Sequence, residues 1–201
     1  MMPEYSERKR DLLAAIARTE RGLHIRPEQL PGIWSAVTQL ESVNPTPRPV
    51  ALPVKLAGLW QLVFTTSFYV LRLGRVPGVR LGEVYQYFSP DLTHLVNVAE
   101  LMPPLSFLNG IVAVSGRLES VSAVRVGVTF ERAATGPKGF LRYTDPETFA
   151  ARLIVGEDLP SVPLPSQRRP LPWLDTTYLD EDLRIGRGDR GSVFVLTRVR
   201  S

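Results

Sequence analysis

The sequence contains no cysteine among its 201 residues. This absence excludes a disulfide scaffold, thiolate zinc sites and a cysteine nucleophile. Its two histidines, His24 and His94, are far apart in the chain, so we expect no histidine-based metal site. The apolar runs are much shorter than the roughly 20 residues of a membrane-spanning helix. We therefore expect no metal, no cofactor and no integral membrane anchor.

Charge of either sign is dispersed along the chain. The formal net charge is +4, and no run of five or six like charges occurs. A nucleic-acid-binding protein usually carries a basic stripe or tail, so we expect no nucleic-acid partner. The N-terminus has no apolar run before a cleavage site, and it carries Glu4, Glu7, Asp11 and Glu20. Those features predict an intracellular protein without a signal or transit peptide.

The composition is that of an ordinary globular domain, with 44% hydrophobic and 22% charged residues. Glycine and proline are frequent, at 15 and 18 residues, which favours many short strands over a few long helices. Hydrophobic periodicity predicts helices over 4–21 and 27–42. The four prolines within 44–53 indicate an extended linker. We therefore divide the chain into a helical cap (1–43), a proline-rich linker (44–56) and a β-barrel (57–201).

After the linker, the residues are those typical of strands. Runs rich in β-branched and aromatic residues predict strands over 57–67, 80–88, 93–101, 109–119, 121–132, 176–185 and 192–199. Asp189, Arg190 and Gly191 predict a tight hairpin turn. The prolines of 144–175 predict a long excursion without regular structure. The fold class is mainly β, an antiparallel barrel with two N-terminal helices, and an eight-stranded barrel can hold one small apolar ligand.

Several segments resemble the PAP/fibrillin family, the plastid lipid-associated proteins. The C-terminal stretch TYLDEDLRIGRGDRGSVFV (177–195) resembles the family's C-terminal signature, and GLWQLVFTTS (58–67) resembles its first-strand motif. LLAAI (12–16) with the following RG (21–22) is similar to its opening helix, and LESVNPTPRP (40–49) to its linker. LGEVYQYF (81–88), followed by Asn97, is similar to its second block.

The resemblance implies a lipocalin-like β-barrel without enzymatic activity. It implies non-enzymatic binding or transport of a small lipophilic molecule, such as a quinone, carotenoid or fatty acid, with a role in photoprotection or stress response. It places the protein peripherally on thylakoid membranes or lipid bodies, and the missing transit peptide predicts a cyanobacterial-type member. Two alternatives are a structural coat of lipid bodies and an accessory factor that docks on an isoprenoid or plastoquinone biosynthetic enzyme.

The resemblance also implies roles for individual residues. Gly58 and Trp60 match the lipocalin G-x-W pattern, in which the tryptophan packs at the closed end beneath an arginine from a late strand. Arg184, Arg187 and Arg198 are the candidates for that arginine, and Arg184 is assigned to the structural signature. The family's suggested acidic ligand contact near the C-terminus corresponds to Asp189.

Arg187 and Tyr85 are the other two candidate ligand contacts, beside Asp189.

The acidic run 180–182 lacks the spacing of a calcium loop and predicts a solvated turn whose carboxylates pair with Arg184 or Arg187. The segment 159–174 is consistent with a polyproline-like recognition strip or with a lid on the barrel.

The segment 68–80 mixes apolar residues with arginines between two predicted strands. Such a loop suits insertion into a lipid head-group layer, with Phe68, Tyr69, Leu71 and Leu73 as membrane contacts. The alternative is a flap over the mouth of the barrel.

Overall fold

A computed structural model describes residues 4–156, 159–165, 167 and 170–200. Within these residues, five α-helices are present: α1 (Glu4–Ile16), α2 (Leu30–Glu41), α3 (Pro53–Leu56), α4 (Phe68–Leu73) and α5 (Pro146–Val155). The first five strands are β1 (Gly58–Thr65), β2 (Arg80–Phe88), β3 (His94–Met102), β4 (Gly110–Ser120) and β5 (Arg125–Pro137). The remaining strands are β6 (Val162–Pro163), β7 (Trp173–Leu179), β8 (Leu183–Gly188) and β9 (Val193–Arg198).

The strands close into a ring. Their order is β4-β3-β2-β1-β9-β8-β7-β5, β5 pairs in turn with β4, and the short β6 adds to the side of β5. Each of these pairings is antiparallel. The predicted fold class, a mainly β, lipocalin-like barrel with N-terminal helices, is therefore confirmed. The predicted hairpin turn at 189–191 is also confirmed, between β8 and β9.

Alternation along the strands sends side chains either into the ring or onto its outer surface. The interior is mainly apolar, with Trp60 and Phe88 as its largest buried aromatic side chains. Outside the ring, α1 and α2 pack on β1, β8 and β9 around Phe64 and Ile185. A third apolar cluster lies between α5 and β2–β5, centred on Phe149. The barrel thus lies between two helical layers.

The two ends of the barrel differ. We call one end the closed end; it carries α3 and the turns 89–93, 121–124 and 180–182. Leu56 of α3 is buried there against the interior cluster, and the backbone N–H of Val50 donates to the carbonyl of Ala123. The opposite end, which we call the open end, carries α4 and the segments 74–79, 103–109, 138–143 and 189–192.

Local boundaries differ from several predictions. The single strand predicted over 176–185 is wrong, since β7 and β8 are separated there, but the turn predicted for 180–182 is present between them. The first helix ends at Ile16, before the positive φ angles of Glu20 and Arg21, and β5 begins only at Arg125. The linker is not extended throughout, since it contains a 3-10 turn (Pro49–Ala51) and α3.

The prediction that 144–175 lacks regular structure is also wrong. Helix α5 occupies 146–155, with Pro146 in its first turn, where the missing N–H has no cost. The Asp145 carboxylate caps the helix by accepting from the backbone N–H of Thr148 at 2.8 Å. Gly156 ends it in the left-handed conformation, with φ of 77°. Pro146 therefore begins a helix and does not interrupt one.

Candidate ligand-binding interior and open end of the barrel

Trp60 forms the floor of the interior at the closed end. Its side chain is fully buried, and the indole N–H donates to the carbonyl of Leu56 at 2.9 Å. Two guanidinium groups stand over its ring, Arg198 at 4.1 Å and Arg184 at 5.4 Å from the ring centre. The arginine predicted to cover this tryptophan is therefore a pair of arginines, one from β8 and one from β9.

Arg198 has its donors taken up by backbone carbonyls. Its Nε donates to Glu181 at 3.0 Å and its Nη1 to Ala57 at 2.9 Å, while its Nη2 donates to Lys55. These bonds fasten the end of the linker and the β7–β8 turn to the last strand of the ring. Arg198 is therefore a structural group of the closed end.

Arg184 occupies the interior and is only partly satisfied. It is fully buried, its Nη2 donates to Oε1 of Gln86, and its guanidinium lies 4.6 Å from the centre of the Phe88 ring. Its Nε and Nη1 have no hydrogen-bond partner in the described part of the chain. Burial, together with the charge of Arg198, lowers the pKa of Arg184 to about 9, so it stays protonated at neutral pH.

A small polar cluster surrounds this cation. Gln86 of β2 donates through Nε2 to Oδ1 of Asn97 on β3 at 2.7 Å, which fixes its Oε1 towards Arg184. The register pairs Gln86 directly with Asn97. Around this cluster, the interior side chains are apolar. The unpaired donors of Arg184 can donate hydrogen bonds to a carbonyl or carboxylate oxygen among the apolar side chains of the interior.

The three residues predicted to contact a ligand lie elsewhere. Arg187 is on the outer face of β8, where its Nε and Nη2 bind Glu41 of α2 at 2.8 and 2.7 Å. Tyr85 lies on the outer face of β2, where burial, aided by the charges of Glu100 and Glu83, raises its pKa. Asp189 is exposed in the β8–β9 turn at the open end. The structure brings none of the three into the interior.

The four predicted membrane contacts differ in exposure to solvent. Phe68 and Tyr69, at the start of α4, are 61% and 58% exposed. Leu73 instead packs against the interior cluster, as does Val70, and Leu71 lies partly buried near Gly22. Helix α4 therefore combines the two alternatives left open by the sequence, because one side covers the mouth and the other side is exposed to solvent.

A groove of about 320 Å³ lies outside the barrel, between α1 and strands β1 and β2. Leu13 and Ala17 contribute to its apolar wall. At its polar end, the Glu83 carboxylate accepts from Gln61 Nε2 at 2.6 Å and faces Arg21 Nη1 at 3.4 Å. The charges of Glu83 and Arg21 in this groove thus balance each other, whereas the charge of Arg184 in the interior has no acidic partner among the described residues.

The acidic run at the closed end is less solvated than predicted. Asp180 is buried and binds Lys9 of α1 through Nζ at 2.9 Å, and it accepts from the hydroxyl of Tyr178 at 2.7 Å. Asp182 pairs with Arg200. These acids tie α1 and the C-terminal segment to the closed end. The predicted partners Arg184 and Arg187 bind other groups.

Two features escaped sequence reasoning. The pair of Gln86 and Asn97 faces the interior on adjacent strands, and strand alternation with the correct register would have placed them together. The exposed side chains of Phe107 and Phe140, 74% and 66% exposed, lie in open-end segments for which the sequence predicted no role. Large apolar residues within turn-like sequence, PPLSFLNG (103–110) and GPKGF (136–140), could have indicated these exposed side chains.

Among the described residues, no group of histidine, aspartate or glutamate side chains is placed to hold a metal ion. Nor is any described helix both long and apolar enough to cross a bilayer.

Comparison with known proteins identifies a family and several relatives. The PAP_fibrillin family model matches residues 6–197. The chain is 34% identical to plastoglobulin-1, chloroplastic, of Pisum sativum, over 94% of this chain and 60% of that protein. It is 32% identical to probable plastid-lipid-associated protein 2, chloroplastic, of Arabidopsis thaliana, over 97% of this chain and 72% of that protein.

A third relative is the chromoplast-specific carotenoid-associated protein of Cucumis sativus, which is 31% identical over 94% of this chain and 67% of that protein. The chain thus spans 60% of the length of the pea protein and about two thirds of the cucumber protein. No solved structure matches the chain significantly.

Proposed function

Since the chain belongs to the PAP_fibrillin family, we propose that it is a lipid-associated protein that holds a small lipophilic molecule in its barrel. It acts without catalysis, peripherally on thylakoid membranes or lipid bodies of a cyanobacterial cell, in photoprotection or stress response. The names of its relatives support the lipid association, since they are plastoglobulins and plastid-lipid-associated proteins of chloroplasts.

The observation that carries the proposal is the buried, incompletely bonded guanidinium of Arg184. Buried charges are normally paired and hydrogen-bonded, because removing them from water costs several kcal/mol. Here Nε and Nη1 lack acceptors among the described residues, and beyond the bond from Nη2 to Gln86 the charge is stabilised by the faces of Phe88 and Trp60. An oxygen atom from a bound molecule would complete the bonding of this group.

The proposed ligand class follows from the side chains around that cation. Apolar side chains surround the polar cluster, so the body of the ligand is apolar and its end carries a carbonyl or carboxylate oxygen. A quinone or a fatty acid has this chemistry. Burial of apolar ligand surface contributes about 2.5 kcal/mol for each 100 Å² removed from water. The single polar contact at Arg184 would then set the orientation of the molecule.

The test is organic extraction and mass spectrometry of the protein purified from a photosynthetic host. We expect one quinone, carotenoid or fatty acid in near-equimolar yield from the native chain and much less from Arg184→Met. Ala17→Phe is the matched control, since it fills the outside groove and leaves the interior unchanged. If the native chain and Arg184→Met yield equal amounts of the molecule and Ala17→Phe yields much less, the ligand binds in the outside groove and not in the barrel. Bulk membrane lipid alone would contradict the carrier function.

A second candidate function is a coat that covers lipid bodies without carrying a ligand. The observation in its favour is the set of exposed apolar side chains at the open end, such as Phe107 and Phe140. A coat would attach to lipid and yield no specific molecule on extraction, which separates it from the carrier. The third candidate, an accessory factor, would copurify with an enzyme in stoichiometric amounts.

A further inference from the structure

More than half of the exposed large apolar side chains among the described residues lie at the open end of the barrel, including every exposed phenylalanine. Phe68 begins α4 and Val76 follows it, and the β3–β4 connection adds Leu105, Phe107 and Leu108. Phe140 projects from the turn that follows β5. Isolated exposed apolar residues are ordinary on protein surfaces, whereas a contiguous set marks a contact surface.

Strand register places these three segments side by side. Arg80 at the start of β2 pairs with Met102 at the end of β3, so the segment after α4 adjoins the β3–β4 connection. Gly110 at the start of β4 pairs with Pro137 at the end of β5, so that connection adjoins the turn bearing Phe140. In addition, the backbone N–H of Lys138 donates to the carbonyl of Asn109 at 2.7 Å. The apolar side chains therefore form one continuous rim.

Unpaired positive charge accompanies this rim. Arg75 and Arg80 are exposed, and neither forms an ion pair within the described part of the chain. Arg72 is exposed beside the ring of Phe68, with 6.0 Å between its guanidinium carbon and the ring centre. Arginines among apolar side chains suit a head-group layer, where the aliphatic stem is buried and the guanidinium meets phosphate or sulfonate.

The closed end has the opposite character. Its acidic turn residues are engaged by bases of the chain itself: Asp180 by Lys9, Glu181 by Lys55 and Asp182 by Arg200. The acids of the closed-end turn are thus paired, whereas Arg72, Arg75 and Arg80 lie without an ion pair among the described residues on the same surface as the apolar rim. An anionic lipid layer complements both features of the open end.

We propose that the open end is the surface by which this protein docks on an anionic lipid layer, with the mouth of the barrel facing the lipid. Phe107 and Phe140 enter the acyl region, and Arg72, Arg75 and Arg80 contact the head groups. The proposal rests on the lipid association proposed above and extends it to two segments beyond α4. In this orientation, a ligand that leaves the barrel past α4 would enter lipid without crossing water.

Flotation of the full chain with protein-free vesicles tests this surface. One vesicle population contains phosphatidylcholine alone, and the other also contains anionic phosphatidylglycerol. The apolar variant is Phe107→Ser with Phe140→Ser. Its matched control is Val54→Ser with Val121→Ser, because these closed-end side chains are 93% and 61% exposed.

The charge variant is Arg75→Gln with Arg80→Gln. Its control is Arg10→Gln with Arg48→Gln, which removes two exposed arginines away from the open end. All eight substituted side chains are exposed, so unchanged thermal unfolding should show that each variant is folded.

We expect the apolar variant to lower partitioning into both vesicle types by at least about tenfold. The charge variant should lower partitioning into anionic vesicles by roughly 25-fold, at about fivefold per arginine, with little change on neutral vesicles. High salt should remove that difference. The two control variants should partition like the native chain.

Other results would distinguish a failure of the docking surface from a failure of the proposed function. If the native chain floats and all four variants float equally, the docking surface is wrong and the lipid association stands. If the native chain floats with no vesicle and carries no lipid on extraction, the proposed function fails as well. Binding to isolated lipid bodies, but to no protein-free vesicle, would indicate a protein partner and would overturn docking on lipid.

Discussion

Arg184 and Arg198 both stand over Trp60, yet their removal should have different effects on stability. We consider Arg184→Met and Arg198→Met, which keep the apolar stem and remove the guanidinium. Arg184 is fully buried with two unpaired donors, whereas Arg198 donates to the carbonyls of Glu181, Ala57 and Lys55. Arg184 therefore contributes little to the stability of the ligand-free fold, whereas Arg198 stabilises it.

The magnitudes follow from these contacts. Arg184 gains about 1.5–3 kcal/mol from its bond to Gln86 and about 0.5–2 kcal/mol from each of two aromatic rings. Desolvation of its charge costs several kcal/mol, so the sum is near zero. Arg198 is partly exposed, and three hydrogen bonds to carbonyls still stabilise the fold by about 2–4 kcal/mol in total. Arg198→Met should be the more destabilising change by at least about 2 kcal/mol.

Urea unfolding of lipid-extracted protein, followed by circular dichroism, measures the two free energies. Equal m-values would show that the variants expose the same surface on unfolding. If Arg184→Met destabilises the extracted protein as much as Arg198→Met, or more, then Arg184 is a structural group. The argument that its free donors await a ligand would then be refuted.

Three further changes test the scaffold. Trp60→Ala should lower the free energy of unfolding by about 3–5 kcal/mol, and a loss below about 1 kcal/mol in urea unfolding would contradict its burial. Gly22→Ala should destabilise more than an ordinary surface change and lower the midpoint of thermal unfolding, because φ is 99° and a Cβ would lie 2.3 Å from the carbonyl oxygen of Thr65; an unchanged midpoint would contradict this close approach. Burial opposes ionisation of Asp180, but its hydrogen bonds, that from Lys9 foremost, hold its pKa below the usual value. Its stabilisation is therefore complete above about pH 4 and is lost as pH falls through the lower folded pKa, so acidification should weaken the native chain more steeply than Asp180→Asn in urea titrations; parallel curves would contradict this.

The fold was predictable to the extent that local patterns determine it. Period-two alternation and turn residues located most strands, since these signals act within a few residues. The strand predicted over 176–185 was drawn through 180–182, although the same three carboxylates also predicted a turn there. Helix α5 was missed because Pro146 was weighed with the other prolines of 144–175 as a breaker, although it follows the capping Asp145. Both errors concern residue types, carboxylates and proline, whose effect on secondary structure depends on their position in the element.

The site was less predictable, because it depends on which face of a strand each residue occupies. Arg184 and Arg187 are three positions apart on β8, and alternation sends one inward and the other outward to Glu41. Sequence reasoning placed Trp60 correctly in the interior, but it could not distinguish an arginine with free donors from Arg198 with satisfied ones. That distinction depends on partners more than a hundred residues away, such as the carbonyl of Ala57.

The closure of the ring by β9 has a consequence for how the chain folds. β1 pairs with β2 on one side and with β9, the last described strand, on the other. During synthesis, one edge of β1 and the interior side chains beside it therefore stay uncovered until β9 emerges. Pairings so distant in sequence form slowly, and unpaired edges invite association with other chains. We expect nascent or C-terminally truncated chains to be the aggregation-prone forms of this protein.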